Sequence, residues 1–177
     1  MTLEGAVLIT LMQEYLNGLI DPTISLLEVQ KLAYFMQEAG EPLKPRYRKR
    51  VDDLYADNLL DVLLRMEGRF IEGAQEAEDH LAKPLNLKPN AIGIARALLK
   101  DYPETVARFE RVVHLMEGFE SAYGTELLVT AHWAMCQEKI KDDDQLIAHI
   151  HQWNKQKLKP QHILLAKETL VAQGWVN

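Results

Sequence analysis

The chain has 177 residues, 47% of them hydrophobic, and this length and composition predict one globular domain that buries about two thirds of its unfolded surface. No apolar run approaches the roughly 20 residues that span a bilayer, and no signal-peptide pattern is present, so a membrane span and a leader are not expected. The net charge of −6 counts against a generic nucleic-acid binder, and the single cysteine excludes an internal disulfide framework and favours the cytoplasm.

Amphipathic periodicity predicts helices through the first third of the chain. Apolar residues at helical spacing indicate a helix over residues 4–17. Ser25 and Glu28 form a capping-box pattern at the start of a second helix, and Gly40 is placed to end it in a left-handed conformation. A third helix is predicted over residues 55–66, where leucines share one side.

The segments around the third helix predict a small β element. Residues 45–51 carry no helical apolar stripe, and we interpret them as an exposed strand. Residues 68–71 are its expected antiparallel partner. Residues 72–89 are interpreted as an ordered loop or a short helix, because one glycine and two prolines interrupt them.

Helical patterns fill the second half of the chain. Pro103 suits the first position of a helix, and acidic residues after Lys141 suit the positive end of another. These helices are predicted over residues 90–99, from Pro103 to about Gly118, over 124–139, over 143–155 and from Pro160 to Gly174. The predicted fold is a mostly α single domain over residues 1–177, with about seven to eight helices and a small antiparallel β element.

Five apolar residues on these helices are predicted to be structural, because each lies on or beside a stripe with helical spacing. They are Leu32, Phe109, Met116, Leu128 and Trp133. If the ring of Phe109 is fully buried, its replacement by alanine is expected to cost about 3–5 kcal/mol.

The histidines and the cysteine do not form a recognisable catalytic or metal-binding motif. His132 and Cys136 are four residues apart on a predicted helix and could face one metal ion, but core packing is the favoured interpretation. His149 and His151 are expected at the surface. The sequence has no metalloprotease, phosphate-loop or nucleophile-elbow motif, so we predict no catalytic residue, no metal and no cofactor.

Two charged segments of the sequence are candidates for contacts with a binding partner. Residues 44–50 place Lys44, Arg46, Arg48, Lys49 and Arg50 within seven positions. They could bind phosphates or a protein partner, or form a solvated edge strand, which is the favoured interpretation.

Residues 67–79 form an acidic segment with a local charge of −4. A solvated loop is the simplest interpretation. Long irregular connections are nevertheless often functional, so the segment is also a candidate contact surface.

Several segments of the sequence resemble the C-terminal half of DarG-type antitoxins. The most distinctive is residues 116–133, MEGFESAYGTELLVTAHW. Residues 30–43 and 55–63 also match, and further matches follow in order to Gly174-Trp175. One departure lies at residues 53–55, where Asp-Leu-Tyr stands in place of the family's Gly-Pro-Tyr.

The resemblance implies that the chain is the isolated C-terminal half of a longer antitoxin, without its macrodomain. In that family the macrodomain removes ADP-ribose from DNA, and the C-terminal domain binds the DarT toxin, a DNA ADP-ribosyltransferase. The expected function is therefore neutralisation of a DarT-type toxin by protein binding, with no catalysis by this chain and no direct DNA binding.

A groove that takes single-stranded DNA is expected to be basic, so acidic and aromatic side chains could occupy it by DNA mimicry. The candidate toxin-contact residues are Glu72, Glu76, Glu78 and Asp79, followed by Tyr55, Asp57 and Phe70. For Tyr55 and Phe70, packing against the neighbouring helix is the alternative. The rival function is a DNA-binding module that uses residues 44–50 and a winged-helix-like C-terminus around Gly174-Trp175.

Overall fold

The described chain is mostly helical, as the sequence predicts. The computed structural model describes residues 1–43, 46–49, 54–154 and 157–177, with only the backbone of Lys49. Its helices are α1 (Leu3–Asn17), α2 (Leu26–Glu38), α3 (Asp57–Met66), α4 (Ala74–Ala77), α5 (Ala91–Leu99), α6 (Pro103–Met116), α7 (Ala122–Cys136), α8 (Asp143–Asn154) and α9 (Pro160–Ala172). Pro103 and Pro160 each open a helix, because the missing N–H of proline costs nothing in the first turn.

The small antiparallel β element consists of two separate sheets. The strands are β1 (Ile24–Ser25), β2 (Arg48–Lys49), β3 (Leu54–Tyr55), β4 (Ile71–Glu72) and β5 (Pro84–Leu87). A three-stranded sheet has the order β1-β5-β4, and β2 pairs with β3. All these pairs are antiparallel, which confirms the predicted fold class.

The predicted pairing of residues 45–51 with 68–71 is wrong. Arg48 lies opposite Tyr55, so β2 pairs with the next strand along the chain, which needs a much shorter loop. Ile71 instead lies opposite Leu87 of β5. The sequence interpretation missed β5 because Pro84 suggested a loop, whereas proline is tolerated as the first residue of a strand.

Gly73 permits the close approach that joins β4 to β5. Its φ of +104° lies in the left-handed region, and a Cβ atom there would meet the carbonyl oxygen of Pro84 at 2.7 Å. Any larger residue would therefore strain the backbone and push the two strands apart. The carboxylate of Glu67 accepts hydrogen bonds from the N–H groups of Gly73 and Ala74, at 3.1 and 2.7 Å, and so caps α4.

The capping box at the start of α2 is confirmed. The backbone N–H of Ser25 donates to Glu28 Oε2 at 2.7 Å, and the N–H of Leu27 donates to Ser25 Oγ at 3.2 Å. Gly40 follows the helix with a φ of +103°, also as predicted. These bonds satisfy groups that the first turn of a helix leaves without helical partners.

We expect Ser25→Ala to lower the free energy of unfolding by about 1 kcal/mol, because alanine cannot accept the bond from Leu27. Urea denaturation monitored by circular dichroism would measure the change. Thr23→Ala is the matched control, since Thr23 is exposed and lies outside the cap. Equal midpoints for the two variants would contradict the proposed contribution of the cap.

Helix α2 is the centre of one continuous core. Within the described residues, α1 packs against α2, α5 and α6, whereas α7 packs against α2, α8 and α9. The face of α2 that meets both groups includes the fully buried Phe35 and Met36. None of the helices in the described ranges is both long and apolar enough to cross a membrane.

The predicted structural residues divide into two groups. Leu32, Met116 and Leu128 are buried in the core, as expected. Phe109 and Trp133 are only partly buried and pack at the edge of the core. The expected cost of Phe109→Ala therefore falls to about 1–2 kcal/mol, since part of the ring stays in water in the folded state.

His132 is buried, and Cys136 is partly buried one helical turn further along α7; both lie beside the backbone carbonyl of Trp175. His132 Nδ1 is 2.7 Å from the hydroxyl oxygen of Tyr34, and Nε2 is 3.1 Å from the carbonyl oxygen of Trp175. A carbonyl can only accept, so Nε2 carries the hydrogen and Nδ1 accepts from the Tyr34 hydroxyl. We call Tyr34, His132 and Trp175 the C-terminal latch.

The latch gives no support to the winged-helix-like C-terminus of the rival function, which needs Trp175 at the surface. Trp175 is 7% exposed, its ring packs edge-on against Phe35, and the Arg111 guanidinium lies 4.0 Å from the ring centroid. The tryptophan is therefore committed to the core.

His149 and His151 also differ from prediction, which placed them at the surface. Both are partly buried: His149 lies beside Glu138, and His151 Nε2 is 2.7 Å from the Leu158 carbonyl oxygen.

Candidate functional site

The two aromatic contact candidates are not on the surface. Tyr55 is 4% exposed in β3, and Phe70 is 5% exposed just before β4. Both belong to the hydrophobic core. Their predicted role as base-like contacts is wrong, because a buried ring cannot stack on a partner.

The four acidic candidates are exposed along β4, α4 and the turn that follows. Glu72 Oε1 is 3.1 Å from Lys88 Nζ, and Glu76 forms an ion pair with Lys83. Glu78 and Asp79 are also exposed. Inclusion of the two lysines changes the local charge from −4 for residues 67–79 to −2 for residues 67–88. The surface is therefore less acidic than the sequence segment alone indicates.

Asp57 and the basic segment bind each other. Asp57 Oδ2 lies 2.7 Å from Arg48 Nη2, and the backbone N–H of Arg46 donates to Asn58 Oδ1 at 3.2 Å. Both partners of the ion pair are well exposed, so its contribution to stability is about 0–1 kcal/mol. The candidates Lys44 and Arg50 lie outside the described residues, as does the side chain of Lys49.

A cavity of about 460 Å³ opens between α1, α5 and α6, and we call it the α1–α5–α6 cleft. This volume lies in the range of about 300–1,000 Å³ that is usual for small-molecule sites. The cleft is lined by Thr10, Glu14, Arg96, Leu99, Lys100, Pro103, Val106, Ala107, Phe109 and Glu110.

Small residues set the distance between the helices that form the cleft. Ala91 and Ala95 are fully buried on α5, which packs extensively against α1. Arg96 and Lys100, four residues apart on the same helix, remain exposed at the cleft. Helix α6 lines the other wall with Pro103, Val106, Ala107 and Glu110, whose spacing places them on one face.

The cleft combines an apolar wall with charged groups of both signs. Arg96 Nη2 is 3.7 Å from Glu14 Oε1, and the arginine side chain is 57% exposed. Such a long and solvated ion pair is weak and can rearrange around a ligand. Phe109 contributes a partly exposed ring, and Glu110 a second carboxylate.

A second groove of about 400 Å³ adjoins the cleft, since Pro103 lines both. Glu41, only 3% exposed, accepts hydrogen bonds there from Thr105 Oγ1 at 2.9 Å and from Arg108 Nη1 at 3.0 Å. These bonds fix the start of α6 to the segment that follows α2. They therefore hold the α6 wall of the cleft in position.

The sequence patterns do not indicate the cleft as a site. The spacing of Phe109 predicts core packing, and Arg96 and Lys100 belong to no recognised motif. The informative pattern was that these two cations lie opposite Ala91 and Ala95 on the same helix. A helix with small buried residues and a cationic outer edge can line a site beside its packing partner.

The chain is similar to curated proteins from bacteria. It is 36% identical over 161 residues to a DNA ADP-ribosyl glycohydrolase of Thermus aquaticus, which covers 90% of this chain and 44% of that protein. It is 31% identical over 173 residues to proteins of the same name from Mycobacterium bovis and Mycobacterium tuberculosis, covering 89% of this chain and 48% of theirs. The chain resembles one part of these enzymes.

This chain spans a little less than half the length of the curated relatives that it matches. No family model matches it. The names of the relatives contradict the predicted identity as a toxin-binding antitoxin domain, the predicted DarT partner and the predicted lack of enzymatic function. They equally give no support to the rival function as an autoregulatory DNA-binding module.

Proposed function

We propose that this chain takes part in the hydrolytic removal of ADP-ribosyl groups from DNA, as the helical part of an enzyme like its relatives. The observation that carries the proposal is the similarity to DNA ADP-ribosyl glycohydrolases along about nine tenths of the chain. Residues 1–177 act as one domain in this proposal, and the cytoplasm remains the predicted compartment.

The charge of the chain favours recognition of the modification over recognition of the DNA backbone. A net charge of −6 opposes binding to phosphates along a strand, and Arg48 in the basic segment is already paired with Asp57. An ADP-ribosyl group is small enough for a cleft of about 460 Å³, which offers cations, carboxylates and an aromatic ring. The α1–α5–α6 cleft is therefore the proposed place of contact.

The acidic surface of Glu72, Glu76, Glu78 and Asp79 stays a proposed contact surface without an assigned partner. Its carboxylates are exposed, although those of Glu72 and Glu76 are paired with lysines. A role in binding predicts that association with a positively charged partner slows as salt concentration rises, because screening acts over about 8–10 Å at physiological ionic strength.

The function can be tested with a DNA oligonucleotide that carries one ADP-ribosyl group and with the same oligonucleotide unmodified. We expect the chain to bind the modified strand at least tenfold more tightly, because only that strand offers the group that enters the cleft. Fluorescence anisotropy would measure both affinities, and chromatography of the mixture would detect released ADP-ribose.

Either tighter binding of the modified strand or release of ADP-ribose supports the proposal. Equal affinity for the two strands, without release, overturns it. A heat-denatured sample of the chain serves as the control for spontaneous loss of ADP-ribose.

A further inference from the structure

Two aliphatic residues, Leu19 and Ile20, project into solvent from the turn between α1 and β1, and we call them the apolar tip. They are 88% and 51% exposed, although both side chains are large. Leu19 also has a φ of +58°, in the left-handed region that a residue other than glycine rarely adopts. The chain thus holds an apolar side chain in water on a strained backbone, a combination that is typical of contact sites.

Hydrogen bonds hold the turn that carries the apolar tip. The N–H of Leu19 donates to the carbonyl oxygen of Leu16 at 3.2 Å. Beyond the tip, Asp21 Oδ2 accepts hydrogen bonds from the Tyr15 hydroxyl at 3.1 Å and from the N–H of Ala122 at 3.0 Å. The turn is therefore tied to α1 and to the start of α7, so the tip can meet a partner with little further loss of conformational entropy.

Carboxylates flank the apolar tip on two sides. Asp21 directly follows Ile20 in the chain. Glu120 lies beside Gly18, where an added Cβ atom would be 2.8 Å from the Cβ atom of Glu120. The N–H of Gly118 donates to Glu120 Oε2 at 2.8 Å and fixes that carboxylate in place. The surface that complements the tip is therefore an apolar pocket with cations at its rim.

A pocket of this kind lies at the other end of α1, and we call it the N-terminal pocket. Its volume is about 150 Å³. An apolar cavity of about this size binds benzene, so the pocket is large enough for a leucine side chain. The pocket has an apolar floor and two exposed cations at its rim: Met1, Val62, Met66 and Phe70 form the floor, and Arg65 and Arg69 provide the charge.

The two arginines at the rim are available to a partner. The guanidinium of Arg69 lies 5.3 Å from the ring centroid of Phe70, which keeps it beside the pocket. Glu4 is near enough to Arg65 for an electrostatic interaction. Among the residues that the structure describes, however, neither arginine forms an ion pair with a carboxylate.

The positions of the tip and the pocket predict a head-to-tail contact between copies. The tip follows the C-terminal end of α1, whereas the pocket includes Thr2, the N-cap of the same helix. The 15 residues of α1 span about 22 Å, so the tip cannot reach the pocket of its own chain. In a second copy, the negative end of one α1 dipole would face the positive end of the next, which favours the contact further.

We propose that the apolar tip of one copy of this chain docks in the N-terminal pocket of a second copy. Leu19 fills the apolar floor of the pocket, and the carboxylates of Asp21 and Glu120 pair with the two arginines at its rim. Each copy keeps a free tip at one end and a free pocket at the other. The contact is therefore heterologous and produces a ring or an open row of copies.

Sedimentation equilibrium of the whole chain at increasing concentration tests this contact. We expect the mean mass to rise with concentration, with a dissociation constant on the order of 0.1–1 mM, because the contact area is small. Salt at about 0.15 M screens the repulsion between copies that each carry a net charge of −6.

Leu19→Asn is the tip variant. It should weaken the association at least tenfold, because it removes the apolar side chain that fills the pocket. Asparagine tolerates the left-handed conformation better than leucine does, so the Tm of the variant should not fall. Leu165→Asn is the matched control: it makes the same chemical change at an exposed position of α9, and this variant should associate as wild type does.

The combination of Arg65→Glu with Arg69→Glu is the pocket variant. It should also weaken the association at least tenfold, because the new carboxylates repel those beside the tip. Arg69→Glu alone provides a second pocket variant if the double variant does not fold. Circular dichroism of each variant verifies the fold.

A mixture of the tip variant and the pocket variant separates head-to-tail docking from any other contact. The pocket variant keeps an intact tip, and the tip variant keeps an intact pocket. The two should therefore form a one-to-one complex, although each is monomeric alone, and this complex supports the proposal. A wild type that stays monomeric at about 1 mM, variants that associate like wild type, a Leu165→Asn control that does not associate, or a mixture without a complex would each overturn it.

Discussion

Phe35→Ala is expected to lower the free energy of unfolding by about 3–5 kcal/mol, a large share of the roughly 5–15 kcal/mol typical of a whole domain. The ring is fully buried and lies edge-on to Tyr34, His132 and Trp175, with centroids 5.2, 5.5 and 5.4 Å away. Alanine would remove these contacts and leave a cavity that close-packed neighbours cannot fill. Urea denaturation at pH 7.5 would measure the loss.

Leu165→Ala is the control for this variant. Leu165 is an apolar residue of a helix, but its side chain is 52% exposed, so its truncation should cost well under 1 kcal/mol. Similar urea midpoints for Phe35→Ala and wild type would show that α2 does not form the centre of the core.

His132→Ala is expected to cost about 2–6 kcal/mol. The replacement leaves the Tyr34 hydroxyl and the Trp175 carbonyl without the imidazole that bonds to both, and each buried group that loses its partner costs about 1–3 kcal/mol. Thermal unfolding at pH 7.5, where the ring of folded His132 is neutral because burial lowers its pKa, would report the loss as a lower Tm.

His162→Ala is the control, because it removes the same kind of histidine–tyrosine hydrogen bond at a position that solvent can reach. His162 Nδ1 is 2.8 Å from the hydroxyl oxygen of Tyr123, and both residues are partly exposed, so water can replace the lost partner. Its expected cost is about 0.5–1.5 kcal/mol. A larger loss for His162→Ala than for His132→Ala would contradict the dependence on burial.

His132 should also make stability depend on pH. Burial lowers the pKa of His132, and the hydrogen bond to the Trp175 carbonyl only partly opposes that shift. The unfolded chain, with a histidine pKa of about 6.5, therefore binds the proton more readily than the folded chain. The contribution of the neutral ring is complete above pH 6.5 and is lost as the pH falls from there through the lowered folded pKa.

The comparison of wild type with His132→Ala isolates this contribution from the other titrating groups. Between pH 7.5 and pH 5, we expect the stability of wild type to fall more steeply than that of the variant. Parallel curves would mean that His132 titrates alike in the folded and unfolded chain.

Local rules predicted the helices well because their ends depend on neighbouring residues. Ser25 and Glu28 cap α2 within one turn, and Pro103 and Pro160 open α6 and α9 as their fixed backbone angles suggest. The strand pairing failed because two-residue strands carry almost no pattern of alternation. The pairing of such short strands is determined by how the whole sheet is buried against the rest of the protein. A local sequence pattern contains no information on that burial.

The candidate site was harder to predict than the fold. The sequence around Tyr55 and Phe70 does not show whether their rings are buried or exposed, since polar or charged residues precede both. The cleft joins Glu14 to Arg96 and Glu110, which are far apart in the chain and meet only because α5 and α6 both pack on α1. The function inferred from the resemblance was wrong for another reason: segment matches carry no information on chemistry, and the curated relatives are named for a hydrolytic activity.

The C-terminal latch also has a consequence for biosynthesis. Phe35 and Trp175 are separated by 140 positions, which a ribosome adding about 5–20 residues per second needs about 7–28 s to cover. Throughout that interval the apolar face of α2 lacks its final covering partner. The nascent chain therefore exposes an apolar surface until α9 and Trp175 have been made, so its yield in cells should depend on chaperones that hold unfinished chains.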